Sequence, residues 1–119
     1  MPMYLLSVCY PADAQAPAPA ELDQIMLNMS AVGEAMVNAG VWVFAGGLHD
    51  QSSAMTVRCQ ADELLLTDGP YLESKEQIGG ITIIDVADID EAIGWAKQQS
   101  AATGTPIEVR PFVHATAAS

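Results

Sequence analysis

Imidazole is the side chain that most readily exchanges a proton near neutrality, so acid–base chemistry in this chain would begin with its two histidines. His49 follows Gly46-Gly47-Leu48, where an apolar run gives way to a loop, and loops commonly present functional groups. His114 lies in the small, polar terminal stretch 114–119, which is expected to fray. Asp68 is the carboxylate that could serve His49, fixing its tautomer and raising its basicity. The same Asp68 opens Asp68-Gly69-Pro70, so it could instead close a turn by accepting a backbone N–H. His49 could equally be a solvated loop residue.

The cations are few, four Lys+Arg against fifteen Asp+Glu. Arg58 and Arg110 fall in apolar, strand-like runs, where a guanidinium must find a carboxylate or bind an anion. Glu73, Glu76 and Glu108 are the internal partners on offer. Lys75 stands between Glu73 and Glu76 and fits a salt-bridged turn as well as a ligand site. Tyr71 could donate its hydroxyl to a ligand or act as a half-buried anchor.

Several chemistries have no handle. No glycine pattern for phosphate binding opens a helix, and no serine sits in a G-x-S-x-G elbow. Cys9, Cys59 and the two histidines show no metal-ligand spacing, so neither metal nor cofactor is expected. The cysteines, fifty residues apart, read as two buried thiols in a reducing compartment. A net charge of −11 repels nucleic acid and anionic membrane surfaces alike. No apolar run approaches the ~20 residues needed to span a bilayer. No Lys or Arg precedes Arg58, and Pro11 and Asp13 interrupt any leader-like stretch, so a cytoplasmic location is expected.

The elements that would position these residues follow from periodicity. Met3–Tyr10 reads as a buried strand, and the Ala/Pro-rich stretch 12–20 as an extended loop. Leu22, Ile25, Met26, Met29, Val32 and Met36 recur at helical spacing and predict a core-facing stripe that ends at Gly40. Val41–Ala45 predicts a strand. Ala54–Cys59 and Glu63–Thr67, around Ala61-Asp62, predict a β-hairpin. The charged run Glu73–Gln77 suggests one helical turn, with Gly79-Gly80 leading into a strand over 81–86. Asp88 and Glu91 have capping-box spacing and open a helix carrying Ile89, Ala92, Ile93 and Ala96 on one face. A strand over 107–112 completes a single domain, residues 1–113, with a tail at 114–119.

With the hairpin set aside, the order is β-α-β-β-α-β, a ferredoxin-like α+β fold with an inserted β-hairpin. Both helices would cover one face of an antiparallel sheet. The strands are apolar on their other side too, where Ile81 and Ile83 oppose Ile84 and Val86. Such a face needs a cover, and a second copy is the simplest one, so a homodimer is expected.

Thr67-Asp68-Gly69-Pro70-Tyr71, then Glu73-Ser74-Lys75-Glu76-Gln77 and Gly79-Gly80, resembles the D-G-P-F…E-x-K-E-x-x-G-G signature of the DGPF (YCII-related) proteins. Gly46-Gly47-Leu48, Thr56-Val57-Arg58, Asp90-Glu91-Ala92 and Glu108-Val109-Arg110-Pro111 extend the resemblance from Met3 to Phe112. Tyr71 departs from the motif by standing where it has Phe. The resemblance implies a dimeric α+β barrel. Shorter YCII-like relatives hold a His and an Asp together in a cleft, which implies cofactor-free acid–base catalysis of the lyase or isomerase type by His49 and Asp68. Arg58, Tyr71, Lys75 and Arg110 would then hold a small anionic or phenolic molecule. Some DGPF proteins are encoded beside or fused to extracytoplasmic-function sigma factors. This implies the alternative of a non-catalytic regulatory or interaction module with a sigma factor as partner.

Overall fold

The computed structural model describes residues 2–72 and 74–115. Along the chain run β1 (Met3–Pro11), α1 (Pro19–Asn38), β2 (Trp42–Gly47), a 3₁₀ turn (Gln51–Ser53), β3 (Met55–Gln60), β4 (Glu63–Asp68), β5 (Glu76–Asp85), α2 (Ile89–Thr103) and β6 (Ile107–Pro111). Four strands form an antiparallel sheet in the order β2-β5-β1-β6, while β3 and β4 pair only with each other. This is an α+β architecture consistent with a ferredoxin-like fold carrying an inserted hairpin.

The helix ends follow local chemistry. Pro19 opens α1, where its missing N–H costs nothing. After Ala39 the chain turns at Gly40, whose φ of +75° suits glycine. Asp88 caps α2 by accepting from Glu91 N at 2.9 Å, and the Glu91 side chain reaches back to Ala87 N at 3.0 Å. Gly104 ends that helix in the left-handed region, its N–H donating to Ser100 O.

Both helices pack on the face that carries Tyr4, Leu6, Ile84 and Val86, and they contribute Val32, Met36, Ala92 and Ala96 to the core. Inside this layer Gln99 Nε2 donates to Thr82 Oγ1 at 2.9 Å. The apolar stripe of α1 is only partly used: Val32 and Met36 bury, whereas Leu22 and Met26 are exposed and Ile25 and Met29 half-buried. The reason is length. Twenty residues make a helix of about 30 Å, and α2, its main packing partner, has fifteen residues and spans about 22 Å. In α2 the close approach to the sheet selects the small Ala92 and Ala96, and Ile89 and Ile93 flank the contact in solvent.

Three further expectations are corrected. Residues 74–77 form no helical turn, because Glu76 and Gln77 already pair with Pro11 and Tyr10 of β1; Glu73 lies outside the described residues. Gly79-Gly80 sits inside β5 rather than before it, at a register shift opposite Val8 and Cys9. Both cysteines are free, but only Cys9 is half-buried, and Cys59 is exposed on the hairpin.

The register places Leu5 opposite Ile83, Ser7 opposite Ile81, and Phe44 beside Ile83. These residues occupy the face away from the helices, and no element of the chain packs over it among the described residues.

Candidate functional site

An open cleft of about 630 Å³ lies at one end of this uncovered face, where β2 leaves the sheet and β5 enters it. That volume suits a small organic molecule. Leu48, Pro70, Leu72 and Ile78 supply apolar lining, and His49, Asp50, Gln77 and Glu108 the polar groups. The loop after β2 and the segment after β4 form its walls. The cleft therefore gathers residues distant in sequence onto a sheet that fixes Cys9, Ile78 and Glu108.

The best-ordered polar group in the cleft is Asp50. Its Oδ2 accepts from Ser52 N at 2.9 Å, and its Oδ1 accepts from Gln77 Nε2 at 3.1 Å. Gln77 is buried and uses its own carbonyl to accept from Gln51 N at 3.0 Å. Hydrogen bonding from the Ser52 backbone, and next from the Ser52 and Gln77 side chains, holds the Asp50 carboxyl below its ordinary range. The carboxylate thus stays ionised beside His49 at neutral pH.

His49 lines the cleft, as its place at the strand end implied. Asp68 closes β4 opposite Met55 and is exposed. Among the described residues no hydrogen bond or ion pair joins His49 to Asp68, and Asp68 is absent from the cleft lining. Arg58 and Tyr71 do come together: Arg58 Nη2 donates to Tyr71 Oη at 3.2 Å, with the guanidinium carbon 5.8 Å from the ring centroid. Arg110 pairs with Glu108, one of its expected partners, so it borders the cleft through a lining residue. Lys75 occupies the bend before β5, exposed, with its carbonyl accepting from Ala12 N. His114 is exposed beyond β6.

Asp50 and Gln77 are cleft residues that residue spacing did not single out. Asp50-Gln51-Ser52 is an Asx-turn pattern, a signal visible in the sequence. Gln77 left no such trace, since its role depends on the pairing of β5. No group of three or more His, Cys, Asp or Glu among the described residues is arranged to hold a metal ion. Nor is any helix among them long and apolar enough to cross a membrane.

A small antiparallel sheet with two helices on one face and a cleft on the other is an α+β architecture consistent with the ferredoxin-like type. Residues 3–114 match the YCII-related domain, and the chain belongs to that family. An uncharacterised protein of Rhizobium meliloti (strain 1021) is 39% identical to it over 95 residues, covering 77% of this chain and 76% of its own length.

Proposed function

We propose that the protein is a homodimer that binds a small organic molecule in this cleft, with the two sheets facing each other as an α+β barrel. The observation that carries this reading is the cleft itself, which sets His49 and an ionised, doubly hydrogen-bonded Asp50 among apolar walls on an uncovered sheet face. Of the two ligand chemistries expected, a phenol or other neutral hydroxyl compound fits better than an anion. Asp50, Glu76 and Glu108 all line the cleft, Arg110 is engaged by Glu108, and a carboxylate ligand would meet like charge. His49 would take or return the hydroxyl proton in a cofactor-free lyase- or isomerase-type step. Asp50 would stabilise the imidazolium, and Asp68 would contribute only if the hairpin root moved toward His49.

Thermal-shift measurements with a panel of small phenols and small carboxylates test this. Phenols are expected to raise Tm and carboxylates to leave it unchanged, with the effect lost in His49→Ala and retained in Asp68→Asn. Indifference of the protein to every phenol, or an undiminished shift in His49→Ala, refutes the site. Turnover of a bound compound that survives both substitutions removes the catalytic part.

A second reading, a non-catalytic interaction module, draws on the exposed apolar residues of the β3–β4 hairpin. A regulatory protein such as an extracytoplasmic-function sigma factor would be its partner, and co-purification of the two proteins tests that directly.

A further inference from the structure

The β3–β4 hairpin is built the wrong way round for a lone molecule. Its register puts Met55, Val57, Cys59, Leu64 and Leu66, with Asp68 at the root, on one face and Thr56, Arg58, Gln60, Glu63 and Thr67, with Leu65, on the other. The polar face is the one the rest of the chain touches, at Thr56 and Arg58. Thr56 Oγ1 donates to Gly69 O at 2.9 Å, and Arg58 holds Tyr71, so the segment after β4 folds back over it. The apolar face is bare, with Met55, Val57, Leu64 and Leu66 each more than half exposed. Among the described residues no other element packs extensively against either strand. A two-stranded hairpin with nothing on its apolar side is marginal in water.

The hairpin also stretches the molecule. A compact domain of this length has a radius of gyration of about 13.5 Å, whereas this chain measures 16.3 Å. An arm reaching away from the body accords with that excess.

We infer that this arm lies across a second copy of the chain, its apolar face on the cleft end of the partner's open face, beside the contact between the two sheets, and that it closes the partner's cleft. This rests on the dimeric reading above and adds what seals the site. Two features select a second copy as the occupant. The chain offers both halves of the contact, an apolar strip on the arm and an uncovered apolar face beside the cleft, so a two-fold axis satisfies both at once. The area agrees as well. Met55, Val57, Leu64 and Leu66 on the arm, with Phe44, Leu48 and Ile78 on or beside the open face, are the side chains available. At roughly 100 Å² of exposed surface apiece they supply, wholly buried, on the order of 700 Å² per copy, close to one side of a standard specific interface. Leu48 and Ile78 line the cleft, so an arm seated on them narrows its mouth.

The test combines light scattering with thiol accessibility. Cys59 sits on the arm's apolar face, and a Cys9→Ser background makes it the sole reporter. The parent protein is expected to scatter as twice 12.5 kDa and to react with a maleimide at least ten-fold more slowly than a Leu64→Glu/Leu66→Glu variant, which is expected to be monomeric. Gln60→Glu, on the polar face, should behave as the parent. Far-UV circular dichroism of the monomeric variant, matching the parent, shows that the body stays folded. A monomeric parent overturns the proposal together with the dimeric reading. A dimer whose Cys59 reacts as fast as in the variant overturns the arm's docking alone, and a heterologous protein bound stoichiometrically at the arm overturns the choice of occupant. Slow Cys59 labelling without any phenol-induced shift sustains the arm while removing the ligand.

Discussion

The ring of Tyr10 lies against the backbone of Gly79 so closely that a Cβ built on that glycine would stand 2.3 Å from Tyr10 Cε1. The glycine's missing side chain is the space the ring occupies. Gly79→Ala forces the ring or the strand to shift, and overpacking of this kind costs about 1–3 kcal/mol. Denaturant unfolding should show that loss in the single variant and a much smaller one when Tyr10→Ala has already removed the ring. An equal loss in both backgrounds would mean that the backbone, not the ring, demands glycine.

That contact also shows why part of β5 was illegible. Gly79-Gly80 and the charged residues before it read locally as a turn and a breaker, because glycine and charge are scarce in strands. Pairing with Tyr10 and Pro11, more than sixty positions away, decides otherwise. By contrast, α2 was legible at both ends, since the Asp88 cap and the Gly104 terminus are local chemistry. The hairpin was legible from its alternating residues, but nothing local tells which of its faces the chain will cover. The site divides the same way: His49 announced itself by type and position, while Gln77 depends on a long-range pairing.

Asp50 gives the cleft a pH signature. Its carboxyl is held below the ordinary range by Ser52 and Gln77, so the folded state binds its proton less readily than the unfolded chain does. The stabilisation is fully present above about pH 5 and drains away as pH falls through the unfolded value near 3.9 and on to the lower folded one. Asp50→Asn should therefore flatten the acid limb of a Tm-against-pH curve while leaving neutral-pH structure in place, because the amide oxygen can still accept from Ser52 N. A variant curve parallel to that of the parent protein below pH 5 contradicts this.

Between the helices and the sheet, the Gln99–Thr82 bond is fully buried. Thr82→Val leaves the Gln99 amide donor stranded, and a lost partner in the interior costs about 1–3 kcal/mol. Gln99→Met in the same protein removes the stranded group and should recover most of the deficit. Chemical denaturation of the two single variants and the double variant closes the cycle, and a double variant no better than Thr82→Val alone would show that packing volume dominates.

The arm's tip holds avoidable strain. Gln60 pairs with Glu63 across a two-residue turn in which Ala61 and Asp62 have φ of 50° and 67°. Positive φ at both central positions is the type I′ geometry that matches strand twist, and Asn-Gly is its preferred sequence. Alanine is the misfit, since a left-handed residue with a Cβ costs roughly 1–2 kcal/mol, whereas aspartate tolerates the region better. Ala61→Asn/Asp62→Gly should therefore stabilise the hairpin by on the order of 1 kcal/mol, read as slower amide exchange across β3 and β4. A stiffer arm also loses less freedom on docking, so the dimer should dissociate at lower concentration in dilution experiments than the parent does. Faster exchange in β3 and β4 would show that the native turn is already the better fit, and unchanged dimer affinity with slower exchange would show that arm flexibility does not limit association.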